Sequence, residues 1–219
     1  MLALASFENF ASDADAKPYG IDSRPSAGAF LNGALPETAP GISGNWSAVV
    51  AFPNLLFTNA VGFTHVPDSN LLCVWEREGR VWLFENSSNA TKKILAIDVH
   101  NQCQGLDDSG LLGVAFHPGF ATNHFVFIYY TWCKPGTVAG SPTTRPPPMV
   151  PGAYHDRLSR FTLDANGVAI PGSEKIFVDL TDQTVWHHGG GMFFHPKNGF
   201  LYWTDGDNSV GDNDQIINK

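Results

Sequence analysis

Residues 186–214 read WHHGGGMFFHPKNGFLYWTDGDNSVGDND. Met192, Phe193 and Phe194 form a short apolar run, His195 to Gly199 carry turn-forming residues, and Phe200 to Thr204 form a second apolar run. Short apolar runs bounded by Gly, Pro and Asn predict a β-hairpin rather than a helix. Before the hairpin, His187 and His188 precede Gly189, Gly190 and Gly191, where a backbone without side chains bends sharply and admits a ligand closely. After it comes an acidic loop holding Asp205, Asp207, Asp212 and Asp214. Function is expected at both ends of this hairpin.

The same order occurs twice earlier, and recognising such a repeat decides the fold. A glycine precedes a proline by five residues at Gly62 and Pro67, Gly113 and Pro118, and Gly191 and Pro196, each pair bracketing a short apolar strand. The prolines are 51 and 78 residues apart, and a 21-residue proline-rich insertion, Lys134 to Tyr154, accounts for most of the difference. The period is therefore about 50 residues, in the range of propeller repeats. Four strands are predicted between Ala60 and Val99, and four more as LLGVAF, FVFIYYT, RLSRFTL and KIFVDL, with DANG (164–167) as a tight turn. Four antiparallel strands make one propeller blade. The expectation is an all-β chain in which residues 45–219 form a partial β-propeller of about two and a half blades, ending within the third. Such a piece leaves apolar blade faces and strand edges uncovered. Residues 1–44, rich in Ala, Gly, Ser, Pro and Asp, read as a flexible N-terminal arm or linker.

Composition agrees. The 219 residues are 43% hydrophobic, with 22 Gly, 15 Pro and 12% aromatics, a balance that favours short strands and tight turns. A net charge of -8 without a basic cluster argues against nucleic acid or an anionic membrane as partner. No run approaches the ~20 apolar residues of a membrane span. Cys73, Cys103 and Cys133 are too widely spaced for a CxxC site, and three cannot all pair within one chain, so they read as small buried hydrophobes. The opening MLALASFENF lacks the positive flank of a signal peptide. Three sequons, at Asn45, Asn86 and Asn89, matter only in a secreted eukaryotic protein.

GLLGVAFHPGF (110–120), RLSRFTLD (157–164) and HHGGGMFFHPKNGFLYWTDGD (187–207), in this order and spacing, resemble the soluble quinoprotein glucose/sorbosone dehydrogenase family over roughly residues 50–215. The resemblance covers the N-terminal half of that family's domain. It implies a six-bladed β-propeller that uses pyrroloquinoline quinone (PQQ) and calcium to oxidise an aldose sugar or related alcohol, passing electrons to an external acceptor. It makes His187 the general base, which suits the chemistry, since an imidazole can take the hydroxyl proton near neutral pH as the hydride leaves. It also implies periplasmic or secreted location. The family's contacts to PQQ and its main calcium ligands come from later blades, so no cofactor-binding residue is assigned and this chain alone is expected to be inactive. Two departures concern the substrate: Trp186 stands where an aspartate can precede the base, and Asp107 and Asp108 stand where glucose enzymes carry an amide.

Other residues have simpler readings. His188 faces away from His187 if the two lie in extended chain, which gives it a structural or supporting role. His117 and His195 each precede a proline after an apolar strand and read as turn residues. His155 beside Asp156 imitates part of a triad without a nucleophile elbow. Asp205 and Asp207 are candidate metal ligands because alternate carboxylates suit calcium, although Gly211 is not where an EF-hand loop needs its glycine. Two rival functions follow: a propeller that has lost the enzyme's groups and binds protein or glycan, and a hydrolase with a metal at the acidic loop.

Overall fold

The computed structural model describes residues 47–105, 107–134, 154–181 and 186–206. The body described lies in the unit that begins at Val49. The expected arm over residues 1–44 and most of the proline-rich insertion lie outside the described residues.

Strands β1 (Ala60–His65), β2 (Leu71–Glu76), β3 (Arg80–Glu85) and β4 (Lys93–Asp98) form one antiparallel sheet in chain order. Strands β5 (Leu111–Phe116), β6 (Phe125–Cys133), β7 (Tyr154–Thr162) and β8 (Lys175–Thr181) form a second of the same order. A hairpin of β9 (Gly189–Phe194) and β10 (Leu201–Asp205) begins a third. The first strands β1, β5 and β9 stand side by side, as the innermost strands of consecutive blades do. The expected all-β partial propeller is the observed fold.

The repeat has a physical basis in two features that recur in every sheet. The residue before each proline closes the turn with the same hydrogen bond: Val66 N–H donates to Leu71 O at 3.0 Å, His117 to Phe125 at 3.0 Å, and His195 to Phe200 at 2.9 Å. Each proline then starts the turn with a fixed φ and no donor to waste. The second feature explains the recurring glycine. Each inner strand carries a β-bulge beside it, between Ala60 and Gly62, between Leu111 and Gly113, and opposite Trp203–Asp205 in β9. A bulge raises local twist, which a closing blade array requires.

The core lies between the first two sheets. Val81, Leu83, Ile97, Leu111, Ile128 and Tyr130 are all essentially inaccessible within it. Each such side chain contributes about 1.5–3 kcal/mol by leaving water. Between the second sheet and the third hairpin the seam is aromatic: Phe194 meets Phe127 at 5.4 Å and His117 at 5.3 Å, both edge to face. His117 and His195 are turn residues as expected, each accepting backbone N–H bonds at Nδ1 from the residues that follow. The three cysteines are buried and unpaired, and burial pushes all three thiols up from their ordinary pKa.

Apolar side chains are uncovered at both ends of the array. Val61 and Phe63 are exposed on β1, and Phe193, Phe200 and Tyr202 on the last hairpin. A recess of about 450 Å³ lies on the β1 flank among Phe52, Phe57, Val61, Phe63 and Phe84. It is almost wholly apolar and shares no residue with the site described below.

One sequence expectation needs refinement. The glycine run 189–191 lies inside β9 rather than in a turn before it. A Cβ on Gly113 would stand 2.4 Å from Gly190 O, and one on Gly190 would stand 2.6 Å from Leu112 Cβ. The two inner strands touch backbone to backbone here. Gly113→Ala is therefore expected to cost about 1–3 kcal/mol by overpacking, whereas Gly119→Ala, whose Cβ meets nothing closer than 3.4 Å, should stay within about 0.5 kcal/mol of wild type. Urea unfolding of both variants reads the difference. A thiol reagent, in turn, should label none of the three cysteines until denaturant unfolds the chain.

Candidate active site at one end of the strands

Antiparallel order sends the β2–β3 and β4–β5 loops, the segment before β9 and the end of β10 to one end of the sheets. The proline turns occupy the other. Arg77, Asp107, Asp108, His187 and Asp205 thus gather at one end although they span the chain.

His187 is exposed, with φ of 64°. A left-handed histidine is uncommon, and such strain persists only where its surroundings impose it. The surroundings here are specific. Its backbone N–H points at Asp108 Oδ2 at 3.5 Å. Gly206 passes so close that a Cβ there would collide with His187 O. Nearby, Asp107 is also left-handed, with φ of 50°, and its carbonyl accepts a 3.1 Å bond from Arg77 Nη1.

His188 is buried while His187 is exposed; with His187 left-handed the two do not lie in extended chain, so strand alternation is not the cause. His188 Nδ1 lies 3.1 Å from both oxygens of Asp156, and both side chains are fully inaccessible. Thr131 Oγ1 donates to Asp156 Oδ1 at 3.2 Å and accepts from Gly110 N–H at 3.4 Å. The carbonyl of His188 accepts two bonds, from Tyr129 Oη at 2.9 Å and Gly206 N–H at 3.1 Å. Tyr129 Oη also meets Asp205 Oδ1 at 2.5 Å. The His155–Asp156 neighbours form no pair with each other: His155 Nδ1 pairs with Asp179 at 3.0 Å, on the opposite face from the His188–Asp156 pair.

Asp205 therefore has a structural partner on one oxygen, and Asp207 lies outside the described residues. Among the described residues no three of His, Cys, Asp and Glu gather as a metal site. One half-buried carboxylate with one oxygen engaged falls short of the six to eight oxygens calcium takes, so these residues alone do not hold the ion. Nor do they form a cradle for a quinone: Arg77, the cation at this end with a bond there, is directed to a backbone carbonyl. What they present is an exposed histidine whose backbone N–H faces the Asp108 carboxylate.

The comparisons with known proteins bear on this arrangement. The family model for glucose/sorbosone dehydrogenases matches residues 57–219. The chain belongs to the glucose/sorbosone dehydrogenase family. A crystal structure of a glucose dehydrogenase superposes with a TM-score of 0.51 at 20% identity, covering 70% of this chain and 39% of that one. A PQQ-bound aldose sugar dehydrogenase from Streptomyces coelicolor gives a TM-score of 0.49 at 20% identity, covering 78% of this chain and 44% of that one. Human Hedgehog-interacting protein is 27% identical over 158 residues, 68% of this chain and 21% of that protein. The chain thus spans well under half the length of these relatives. Membership of the glucose/sorbosone dehydrogenase family agrees with the blade order seen here.

Sequence reasoning singled out His187 and gave His188 its supporting role. It missed Tyr129 and Thr131, which look like ordinary strand residues in FVFIYYT. Only the register of β6 against β7 reveals that they reach this end.

Burial raises the Asp205 carboxyl above its ordinary pKa of 3.8, with the Tyr129 bond opposing and the Asp156 charge adding to the rise. A raised folded-state value means the native state holds that proton more tightly than the unfolded chain. The stability linked to it is complete below 3.8 and is lost as pH rises through the folded-state pKa. Asp205→Asn keeps an acceptor for Tyr129 and removes this dependence. The stability of wild type relative to Asp205→Asn is expected to fall as pH increases from the acid side, read by urea midpoints across a pH series.

Proposed function

We infer that this chain contributes the substrate-side base, His187, to quinone-dependent oxidation of an aldose sugar or related alcohol. Family membership over residues 57–219 is the observation that carries the reading. The exposed, left-handed His187 beside Asp108 supports it. The substrate hydroxyl loses its proton to the imidazole while the carbon loses hydride, and an aldose leaves as its lactone. PQQ, the cofactor the family resemblance implies, supplies the hydride-accepting quinone, and its holding groups are not assigned to described residues. Electrons then pass to an external acceptor. In this reading calcium takes Asp205 only together with oxygen ligands beyond the described residues, and the enzyme works in the periplasm or outside the cell.

Asp108 gives the substrate side a negative charge. Its carboxylate can accept hydrogen bonds from sugar hydroxyls. An amide at the same place would offer both a donor and an acceptor, so substrate preference is expected to differ from that of glucose enzymes with an amide there.

A second reading rests on the similarity to human Hedgehog-interacting protein, whose name describes binding. Here the blades form a non-catalytic module for protein or glycan. One experiment separates the two. The full-length protein, supplied with PQQ and calcium, is offered a panel of aldoses and polyols with an artificial dye as acceptor. Quinone-dependent dye reduction is the expected result, and His187→Ala should lower kcat by about two to four orders of magnitude. Folded protein that never reduces the dye contradicts the enzyme and favours the module. Undiminished turnover in His187→Ala would remove His187 from the mechanism.

A further inference from the structure

We propose that the buried pair His188 and Asp156, together with Tyr129, is a positioning device: it holds the His187 peptide left-handed and so aims the base. The proposal rests on the reading of His187 as base and adds residues that act through it without touching substrate.

The first argument is cost. Both side chains of the pair are fully inaccessible. Removing a carboxylate and an imidazole from water is unfavourable, and well-packed apolar residues would stabilise such a seam at least as well. A pair kept at such a cost has its value in geometry. The geometry is tight: Nδ1 is equidistant from the two carboxylate oxygens, at 3.1 Å each, and Thr131 holds one of those oxygens from the other side.

The second argument is location. Asp156 belongs to β7 of the second sheet, and His188 lies in the segment leading to β9 of the third. The pair therefore crosses the seam directly beside His187. The same residue is gripped at its carbonyl by Tyr129 Oη and Gly206 N–H. With side chain and carbonyl both fixed, His188 cannot rotate to relieve the strain on its neighbour.

The third argument comes from the repeat. The first sheet also begins after a left-handed residue, Asn59, with φ of 48°. That segment is held within its own sheet, by Glu76 Oε1 accepting from Thr58 N–H at 2.7 Å. Before β5, Gly110 N–H meets Thr131 Oγ1 within one sheet, and the ties to the first sheet, from Leu111 N–H to Arg77 O at 2.8 Å and from Arg77 Nη1 to Asp107 O at 3.1 Å, are single bonds to backbone carbonyls rather than a buried side-chain pair. The segment bearing His187 is fastened to the sheet before it by a buried imidazole–carboxylate pair. The extra fastening coincides with the base.

The test is a double-mutant cycle in the full-length, quinone-loaded protein. Asp156→Asn keeps the shape and one acceptor and is the milder variant, and Asp156→Ala removes the pair. Asp156→Asn is expected to lower kcat about 10–100-fold, the size of effect a small misplacement produces, with the sugar KM changed much less. In a His187→Ala background the same change should have almost no further effect, because both act through one group. Equal losses in the two backgrounds would overturn the proposal, as would unchanged kcat in a folded Asp156→Asn. A second measurement needs no turnover. The His187 ring Cε1–H resonance, assigned by its disappearance in His187→Ala, should shift in Asp156→Asn and in Tyr129→Phe. An unmoved resonance contradicts the positioning role. If wild type shows no quinone-dependent turnover while the resonance shifts, the base reading fails and the positioning of His187 stands.

Discussion

The contact on which the rest depends is the approach of two backbones, β5 and β9, at Gly113 and Gly190. No side chain fits between them. Because the strands touch there, the third hairpin starts directly against the second sheet, and His188 falls within reach of Asp156. The same approach brings the His187 N–H to Asp108. The aromatic seam of Phe127, Phe194 and His117 continues the contact towards the opposite end of the strands. Packing at one end and polar pairing at the other therefore describe a single interface.

Polar burial at that interface is unusual in its completeness. Asp156, Thr131 and His188 are all nearly inaccessible, and hydrogen bonds link them beside the segment that bears His187. Buried polar groups in low dielectric are rigid when satisfied and costly when not. A propeller blade needs apolar packing between sheets, which the Val81, Leu83 and Ile128 region supplies. The polar end gives orientation instead. The proline turns thus lie at one end of the strand axis and the buried His188–Asp156 pair at the other.

Much of this was legible in the residues. The Gly-to-Pro interval marked the inner strand of each sheet, because a bulge and a closing turn each demand a particular residue type. Strand limits were read well except at the starts of β7 and β9; β7 begins at Tyr154, three residues before the apolar pattern does, because Tyr154, His155 and Asp156 pair with the end of β6. The glycine run 189–191 was read as a flexible approach to a strand. It is part of the strand, for its function is close contact, and sequence does not tell bending from contact. His187 was singled out from its motif as a candidate base. The groups around it were not, since Tyr129, Thr131 and Asp156 acquire their roles only through register across three strands. Asp207 lies outside the described residues.

Under the proposed function, substrate chemistry belongs to the end of the strands where His187 lies and not to the proline-turn end. Histidine-selective NMR during a sugar titration of the full-length protein, loaded with PQQ and calcium, tests it directly. The account predicts that the His187 resonances move with sugar concentration while those of His117 and His195, at the other end, stay fixed. Movement of His117 or His195 with His187 unchanged would contradict it.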